Sequence, residues 1–348
     1  MVMLLQVGCN NCRFAGRFRV AAAAAAGLAL VACAQAASPA DAQGGEDRLR
    51  VVATVAPVTS IVASVAGDRA DVRGLIPEGA DSHTYEPRPS AAAVVSAADV
   101  LYANGLELEG PVRDLADANM PAGAEVVELG SLAIEEDEYA YDFSFPRDAG
   151  RPNPHLWTNP RHGVEYARLV AADLSARDQG NASYYQANLA EFERAAERLD
   201  GAMRKSFATV PAADRKLLTY HDAYAYFARD YGWEVIGAIQ VSDFGDPSPK
   251  EVAALIEQVR AEGVPAIFGS EVFPSPVLEQ IGREAGVEYV DVLRDDDLPA
   301  NPAEPGHSWA GLIWFNYVTI TEALGGDASP LRGLQIDDSS DDAAEFPQ

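Results

Sequence analysis

Cysteine is scarce in this sequence of 348 residues. The three cysteines are Cys9, Cys12 and Cys33, and no cysteine occurs after Cys33. A body without cysteine cannot be held together by disulfides, and it offers no thiolate as a nucleophile or metal ligand. The C-x-x-C spacing of the first two lies upstream of a predicted cleavage point, so we assign it no role.

Basic residues are also scarce, with 26 Lys and Arg against 53 Asp and Glu, which gives a net charge of −27. Nucleic acid binds basic surfaces, so this balance argues against a nucleic-acid partner. It argues equally against binding anionic lipid through a charged face. An acidic surface concentrates cations, but it also simply keeps a protein soluble, and charge alone does not separate these interpretations.

The first 32 residues have the pattern of an export signal peptide. Three arginines precede the apolar run 20–32, which is shorter than the ~20 residues of a membrane-spanning helix. The run ends in Leu-Val-Ala-Cys at Cys33, which resembles the lipobox of bacterial lipoproteins. We therefore predict lipidation of Cys33 and a membrane anchor there, with ordinary cleavage after Ala36 as the alternative.

Residues 33–48 are small and polar and are predicted to form a flexible tether. Beyond them, strand-like and helix-like segments alternate in two series, 49–180 and 209–336, which favours an α/β fold with parallel sheets. Between the series, 181–208 has apolar residues at helical spacing and predicts one long helix of about 40 Å. The acidic stretch 337–348 is predicted to be a disordered tail.

Only five histidines are present, and three of them occupy similar places. His83 and His155 lie in Pro-flanked loops, His221 directly follows a predicted strand, and the triple aspartate 295–297 follows the last one. Because ligands of α/β sheets bind at the carboxyl ends of strands, we expect these groups to meet in the cleft between the two halves. Each signal alone is weak, and His162 and His307 are interpreted as structural.

Longer motifs surround these residues and carry a resemblance to a known family. They are His83-Thr84-Tyr85-Glu86-Pro87, Asn104-Gly105-Leu106-Glu107-Leu108-Glu109, Asn153-Pro154-His155-Leu156-Trp157, Thr219-Tyr220-His221-Asp222-Ala223-Tyr224 and Asp296-Asp297-Leu298. Together they make the chain similar to the zinc/manganese solute-binding proteins of bacterial ABC importers. The resemblance covers residues 49–334.

This resemblance implies two βα lobes joined by one long rigid helix, with the metal buried between the lobes. The implied ligands are His83, His155, His221 and Asp296, with Asp295 and Asp297 as substitutes because three consecutive aspartates permit a shifted alignment. It also implies a monomeric protein outside the cytoplasm, in the periplasm or on the outer face of the membrane. Such a protein hands its metal to the permease of an importer.

Three imidazoles and one carboxylate suit Zn²⁺, which accepts nitrogen and oxygen ligands in a tetrahedron. Mn²⁺ prefers more oxygen and binds such sites more weakly, so we expect zinc first and manganese second, with Fe²⁺ left open. Ligating histidines usually donate their other N–H to an acceptor, for which Asp81, Asp222 and Glu271 are candidates by position. Since the imidazoles must be neutral, affinity is expected to fall below about pH 6.

Two features depart from the family pattern. Many zinc-uptake members carry a histidine-rich loop before the second ligand, whereas 135–150 here is acidic and has no histidine. This loop is either a weak cation collector or a solvated loop. Ser82 also stands where some zinc-binding members have an acid.

Other functions remain open from the residues alone. A zinc-dependent hydrolase is one, but we expect no enzymatic activity because H-E-x-x-H, G-x-S-x-G and P-loop patterns are missing and a fourth protein ligand closes the site. A binding protein for an organic ligand or a chelated metal is another. An adhesin with the same fold is a third.

Overall fold

The computed structural model describes residues 48–240, 247–270, 275–302, 304, 306–336 and 344–347. The predicted signal peptide, Cys33 and Glu271 lie outside these residues. Within the described part, no helix combines the length and the apolar character needed to span a bilayer.

The first half of the chain builds one parallel sheet. Its strands are β1 (Leu49–Ala53), β2 (Ala70–Gly74), β3 (Val100–Ala103) and β4 (Glu125–Glu128). They lie in the order β2-β1-β3-β4, and each neighbouring pair is parallel. Its helices are α1 (Ala56–Ala66), α2 (Pro89–Val95), α3 (Gly110–Asn119), α4 (Leu129–Ala133) and α5 (Pro160–Arg177). All four residues of β3 are buried, as expected for a parallel strand covered on both faces.

The strand order places a switch point beside β1. The chain adds β2 on one side of β1 and β3 on the other, so the connections after β1 and β3 leave in opposite directions. In open α/β sheets, such a point forms a crevice at the carboxyl ends of the strands. The loop that carries His83 follows β2 and therefore lies at this end of the sheet.

The second half has two short parallel pairs, β5 with β6 and β7 with β8. The strands are β5 (Lys216–Thr219), β6 (Glu234–Ala238), β7 (Ala266–Ser270) and β8 (Glu288–Leu293). After the long helix α6 (Ala182–Phe207), the helices are α7 (Ala225–Tyr231), α8 (Pro249–Glu262), α9 (Pro276–Ala285), α10 (Trp309–Ala323) and α11 (Ser329–Arg332). The predicted α/β class with parallel sheets is confirmed.

The long helix α6 contacts both halves of the chain. Near its start, the Asn188 side chain donates a hydrogen bond to the carbonyl of Val65 in α1 (3.0 Å). Further along, the ring of Phe192 stacks on Trp309 at the start of α10, with ring centroids 4.7 Å apart. At 26 residues, the helix is about 39 Å long. It therefore belongs to a core that contains residues of both halves, while a second, smaller cluster of buried residues lies within the second half.

The end of the chain differs from the predicted disordered tail. In its described part, 344–347, Glu345 extends the edge of β2: its N–H donates to the carbonyl of Val72 (2.9 Å), and its carbonyl accepts from Gly74 N–H (2.9 Å). Phe346 packs edge-on against the His307 ring. Backbone pairing and an apolar contact hold this segment, although the preceding residues have the composition of a solvated tail.

Candidate metal centre

His83 is presented by a tight loop that Asp81 folds. Asp81 Oδ1 accepts the backbone N–H of His83 (2.9 Å), and Oδ2 accepts the hydroxyl of Thr84 (2.7 Å). These bonds are those of an Asx turn. Asp81 was predicted as an acceptor for the imidazole, whereas it binds the backbone and so shapes the loop that carries the ring.

His155 is fixed by Asn153, two residues earlier. Asn153 Oδ1 accepts the backbone N–H of His155 and also lies 2.9 Å from ring Nδ1. An amide oxygen accepts only, so Nδ1 carries the proton and Nε2 keeps its lone pair. The Asn153 amide nitrogen donates to Asp142 (2.7 Å) and to the carbonyl of Asp222 (2.6 Å), which locks the side chain in this orientation.

His221 lies two residues beyond the end of β5, and its ring faces Asp295. Asp295 Oδ2 lies 3.3 Å from His221 Nδ1, and its Oδ1 accepts the hydroxyl of Ser270 at the end of β7 (2.7 Å). The indole N–H of Trp157 donates to the Asp295 carbonyl (2.8 Å). A carboxylate on Nδ1 directs Nε2 toward a metal and increases its basicity.

Asp296 offers one oxygen to the centre and uses the other as a support. Oδ2 accepts the Ser82 hydroxyl (2.5 Å) and the Ser82 backbone N–H (3.2 Å). Oδ1 is buried, lies 3.8 Å from His155 Nε2, and has no hydrogen-bond partner among the described residues. A buried carboxylate oxygen of this kind is costly unless a cation binds it.

The four predicted ligand side chains converge. His155 Nε2 lies 3.2 Å from Nε2 of His83 and 3.1 Å from Nε2 of His221, and one ligand atom from each of His83, His155, His221 and Asp296 lies within 4.8 Å of the others. A zinc tetrahedron with bonds of ~2.0–2.2 Å has edges of about 3.3–3.6 Å between its ligand atoms. The donor types suit one zinc ion, and the separations between donors lie on either side of these edge lengths.

Burial sets the protonation of these groups. It is the main cause that lowers the pKa of His83 and of His155 well below the ordinary value, and neighbouring His221 lowers both further. For His83, the Arg151 guanidinium adds to the effect. Burial, followed by the charge of Asp295, raises the pKa of Asp296 well above its usual range. The metal-free centre thus holds neutral imidazoles at His83 and His155 and favours a proton on Asp296.

The remaining predicted candidates lie around the cluster. Asp297 accepts the backbone N–H of Gly79 (2.7 Å) and so bonds to the loop before His83; burial raises the pKa of Asp297 to about 7. Asp222 accepts the backbone N–H of Tyr224 (3.0 Å), and burial beside Asp142 raises the pKa of Asp222 well above its usual range. Both were predicted as imidazole partners or substitute ligands, and these contacts instead hold backbone.

The sequence did not predict the supporting roles of three residues: Asn153, Ser82 and Ser270. Asn153 stands two residues before a histidine, which is the spacing of an Asx turn and could have revealed it. Ser82 was noted only as a departure from the family pattern, yet it holds Asp296 across the two halves. Ser270 lies in a different strand from Asp295, and no local signal links the two residues.

His162 and His307 lie apart from the cluster, in agreement with their structural interpretation. His162 is buried on α5 beside Tyr226, and burial lowers the pKa of His162 to about 4. His307 Nε2 lies 3.4 Å from Glu78 Oε1, and its ring packs on Phe346.

The fold and the cluster together describe an α/β protein with a candidate metal centre, and its relatives are consistent with that class. Manganese ABC transporter substrate-binding lipoprotein PsaA of Streptococcus mitis is 26% identical over 297 residues, which cover 85% of this chain and 95% of that protein. Iron ABC transporter substrate-binding lipoprotein MtsA of Streptococcus pyogenes is 25% identical over 302 residues, which cover 85% of this chain and 94% of that protein.

Solved structures show the same fold. The periplasmic zinc-binding protein TroA of Treponema pallidum superposes with a TM-score of 0.72 at 24% identity, covering 80% of this chain and 99% of its own. A crystal structure of ZnuA gives a TM-score of 0.69 at 25% identity, and the superposition covers 80% of this chain and 99% of the ZnuA chain. A family model described as zinc-uptake complex component A, periplasmic, matches residues 51–323. The chain belongs to this family, which confirms the resemblance.

Proposed function

We propose that this protein is the extracytoplasmic substrate-binding component of a metal ABC importer. It captures one Zn²⁺ ion between its two halves and delivers the ion to a membrane permease. The ligands are His83, His155, His221 and Asp296. The observation that carries the proposal is the convergence of three Nε2 atoms and one partnerless carboxylate oxygen within 4.8 Å.

Zinc is preferred over manganese for two physical reasons. Three of the four donors are imidazole nitrogens, and the order of intrinsic affinities places Mn²⁺ below Zn²⁺ for such donors. The four side chains include a single carboxylate, whereas Mn²⁺ favours more oxygen atoms around it. Relatives named for manganese and iron make both of these ions the relevant competitors.

The number of protein ligands around the proposed zinc ion favours a role in transport over a role in catalysis. Four protein ligands complete a tetrahedron, which leaves no position for the water that a zinc hydrolase activates. The protein works as a monomer, exported and anchored through a lipid on Cys33.

A competitive titration of the mature protein with Zn²⁺ and Mn²⁺ tests this function. We expect one zinc per chain, tighter than manganese, and at least a roughly tenfold loss of zinc affinity in His155→Ala because a directly coordinating group is removed. His162→Ala, which removes a buried histidine outside the cluster, is the matched control and should keep the affinity. Equal affinity in His155→Ala and the natural chain would remove the proposed site.

A further inference from the structure

A cavity of about 440 Å³ opens beside His83, in the first half of the molecule. Its walls come from the ends of β3 and β4, from the turn between β3 and α3, and from the first residues of α3. The lining combines apolar side chains such as Leu101, Leu108 and Val126 with charged ones. The volume is within the range of small-molecule sites.

The place of this cavity in the fold is where α/β sheets bind ligands. It lies at the carboxyl ends of β3 and β4, next to the switch point at β1. His83 lines the cavity and also belongs to the metal cluster, so the two spaces share one imidazole. A molecule in the cavity would lie against the edge of the metal centre.

One wall of the cavity is held in a strained conformation. Gly105, Leu106 and Glu107 have consecutive positive φ angles of 78°, 55° and 62°, a conformation that is unfavourable for residues other than glycine. Glu109 holds this turn, because its carboxylate accepts the N–H groups of Asn104 (2.7 Å) and Gly105 (3.1 Å). Strain that is maintained in this way is typical of functional sites.

The charged groups that line the cavity are three carboxylates, Glu107, Glu109 and Glu128, and two guanidinium groups, Arg113 and Arg151. Arg113 is paired with Asp117 (3.1 Å) and Glu128, but Arg151 is exposed and lines the cavity together with His83. In a chain with a net charge of −27, a guanidinium beside the first ligand repels the proposed cargo. A cargo that carries carboxylates with its metal ion removes this conflict, and exposed Glu107 complements the metal part of such a chelate.

We propose that this cavity docks the metal as a chelate of a small organic carboxylate, whose carboxylate pairs with Arg151. This proposal rests on the proposed function and names the form in which the metal arrives. The metal–oxygen bonds of the chelate break as bonds to His83 Nε2 and the other ligands form. Only metal–ligand bonds are exchanged and the metal keeps its oxidation state, so no oxidant or reductant is needed.

Transfer of zinc from zinc–citrate to the metal-free mature protein tests the proposal. Trp157, whose ring lies 5.0 Å from that of His155, provides a fluorescence signal for stopped-flow measurement. The natural chain should show a rate that saturates with zinc–citrate concentration, because docking precedes exchange. Arg151→Ala should be roughly tenfold slower at low concentration, since a bidentate guanidinium–carboxylate pair is lost.

Two controls distinguish docking of zinc–citrate at Arg151 from general electrostatic attraction between zinc–citrate and the protein. Arg198→Ala, an exposed arginine on α6 with the same change in charge, should transfer zinc at the natural rate. Equilibrium affinity for zinc without citrate should be unchanged or slightly higher in Arg151→Ala. Equal transfer rates in Arg151→Ala and Arg198→Ala would overturn the proposal, whereas failure of every variant to bind zinc would instead overturn the proposed function.

Discussion

Asp295 and Asp296 are neighbours in sequence with different partners in the structure. Asp295 lies against Nδ1 of His221, and Asp296 directs Oδ1 toward the Nε2 atoms. The first orients a ligand and the second is placed to be one. If these roles are correct, the negative charge of Asp295 affects metal binding through the ring of His221.

Asp295→Asn should weaken zinc binding by about 10–100-fold, the usual cost of losing a partner of a ligating histidine. The amide keeps the shape of the side chain and still accepts from Ser270, but it no longer places a negative charge on Nδ1 of His221. Isothermal calorimetry with a competing chelator measures the change.

Asp291→Asn is the matched control, since it removes one charge from the exposed side of β8 nearby. We expect its zinc affinity to equal that of the natural chain. If both variants lose the same affinity, long-range charge rather than orientation of His221 is responsible.

Zinc binding should release a proton from Asp296 at any pH at which that carboxyl is protonated without zinc. The raised pKa of Asp296 means that zinc displaces a proton there, so affinity rises with pH until that pKa is passed. The lowered pKa values of His83 and His155 mean that these rings compete for protons only at much lower pH. Calorimetry in two buffers with different ionisation heats counts the protons.

This outcome would replace the expectation from the sequence, in which protonation of the histidines lowers the metal affinity below about pH 6. Release of two or more protons at pH 7 would contradict the protonation described for His83 and His155. Below about pH 6.5 the unfolded chain takes up protons on these histidines and the folded chain does not, so these two groups lower the stability of the metal-free protein on acidification. The raised pKa values of Asp222, Asp296 and Asp297 act in the opposite direction, because the folded chain protonates these carboxyls at higher pH than the unfolded chain does.

Residue patterns singled out the loops that carry the histidines, whereas only the family resemblance selected Asp296 among the three aspartates, with Asp295 and Asp297 as substitutes. Each histidine stood in a distinctive motif, whereas 295–297 offered three identical side chains. Which of three consecutive loop residues faces the centre depends on backbone dihedral angles set by contacts with Ser82, Ser270 and Gly79, all distant in sequence. Such contacts leave no periodic or local signal.

At the scale of elements, clear end signals made the helices of the second half predictable. Helix α9 ends at Gly286 in a left-handed conformation, and α8 begins with a capping box of Ser248 and Glu251 followed by Pro249 at its first position. Helix α3 has no equally clear start. Its first residues are Gly110 and Pro111, its N-cap makes no side-chain bond, and its stability comes from tertiary packing that the sequence does not show.

Gly163→Ala should lower the free energy of unfolding by about 1–3 kcal/mol, because an added methyl would overpack the contact between α5 and α10. A Cβ at Gly163 would lie 2.2 Å from the Trp309 ring, and that ring is fixed by its stacking on Phe192 of α6. Urea denaturation of the metal-free protein measures the loss.

Gly201→Ala on α6 is the matched control, since a Cβ at Gly201 meets nothing within 4 Å. We expect it to raise stability by up to about 1 kcal/mol, the helical preference of alanine over glycine. A loss of stability in Gly201→Ala similar to that in Gly163→Ala would show that the overpacking at Trp309 is not the cause.

At the scale of the whole molecule, contacts between protein groups hold the two halves together. Helix α6 packs on both of them, and Ser82 already donates to Asp296 across the cleft. Long helices and preformed contacts of this kind permit small shear movements and oppose wide hinge closure.

Metal binding should therefore leave the radius of gyration unchanged within error. Small-angle X-ray scattering of the mature protein with and without zinc checks this, with thermal denaturation of the same samples to verify loading. A decrease in the radius well beyond error on adding zinc would contradict the rigid arrangement and indicate closure about a hinge.

The pairing of Glu345 with the edge of β2 brings the last residues of the chain alongside the strand that leads into the His83 loop. Because residues 34–348 contain no cysteine, a single Ala344→Cys change would supply a unique thiol for a fluorescent dye there. The end of this polypeptide is thus a natural position for an optical reporter of cargo loading.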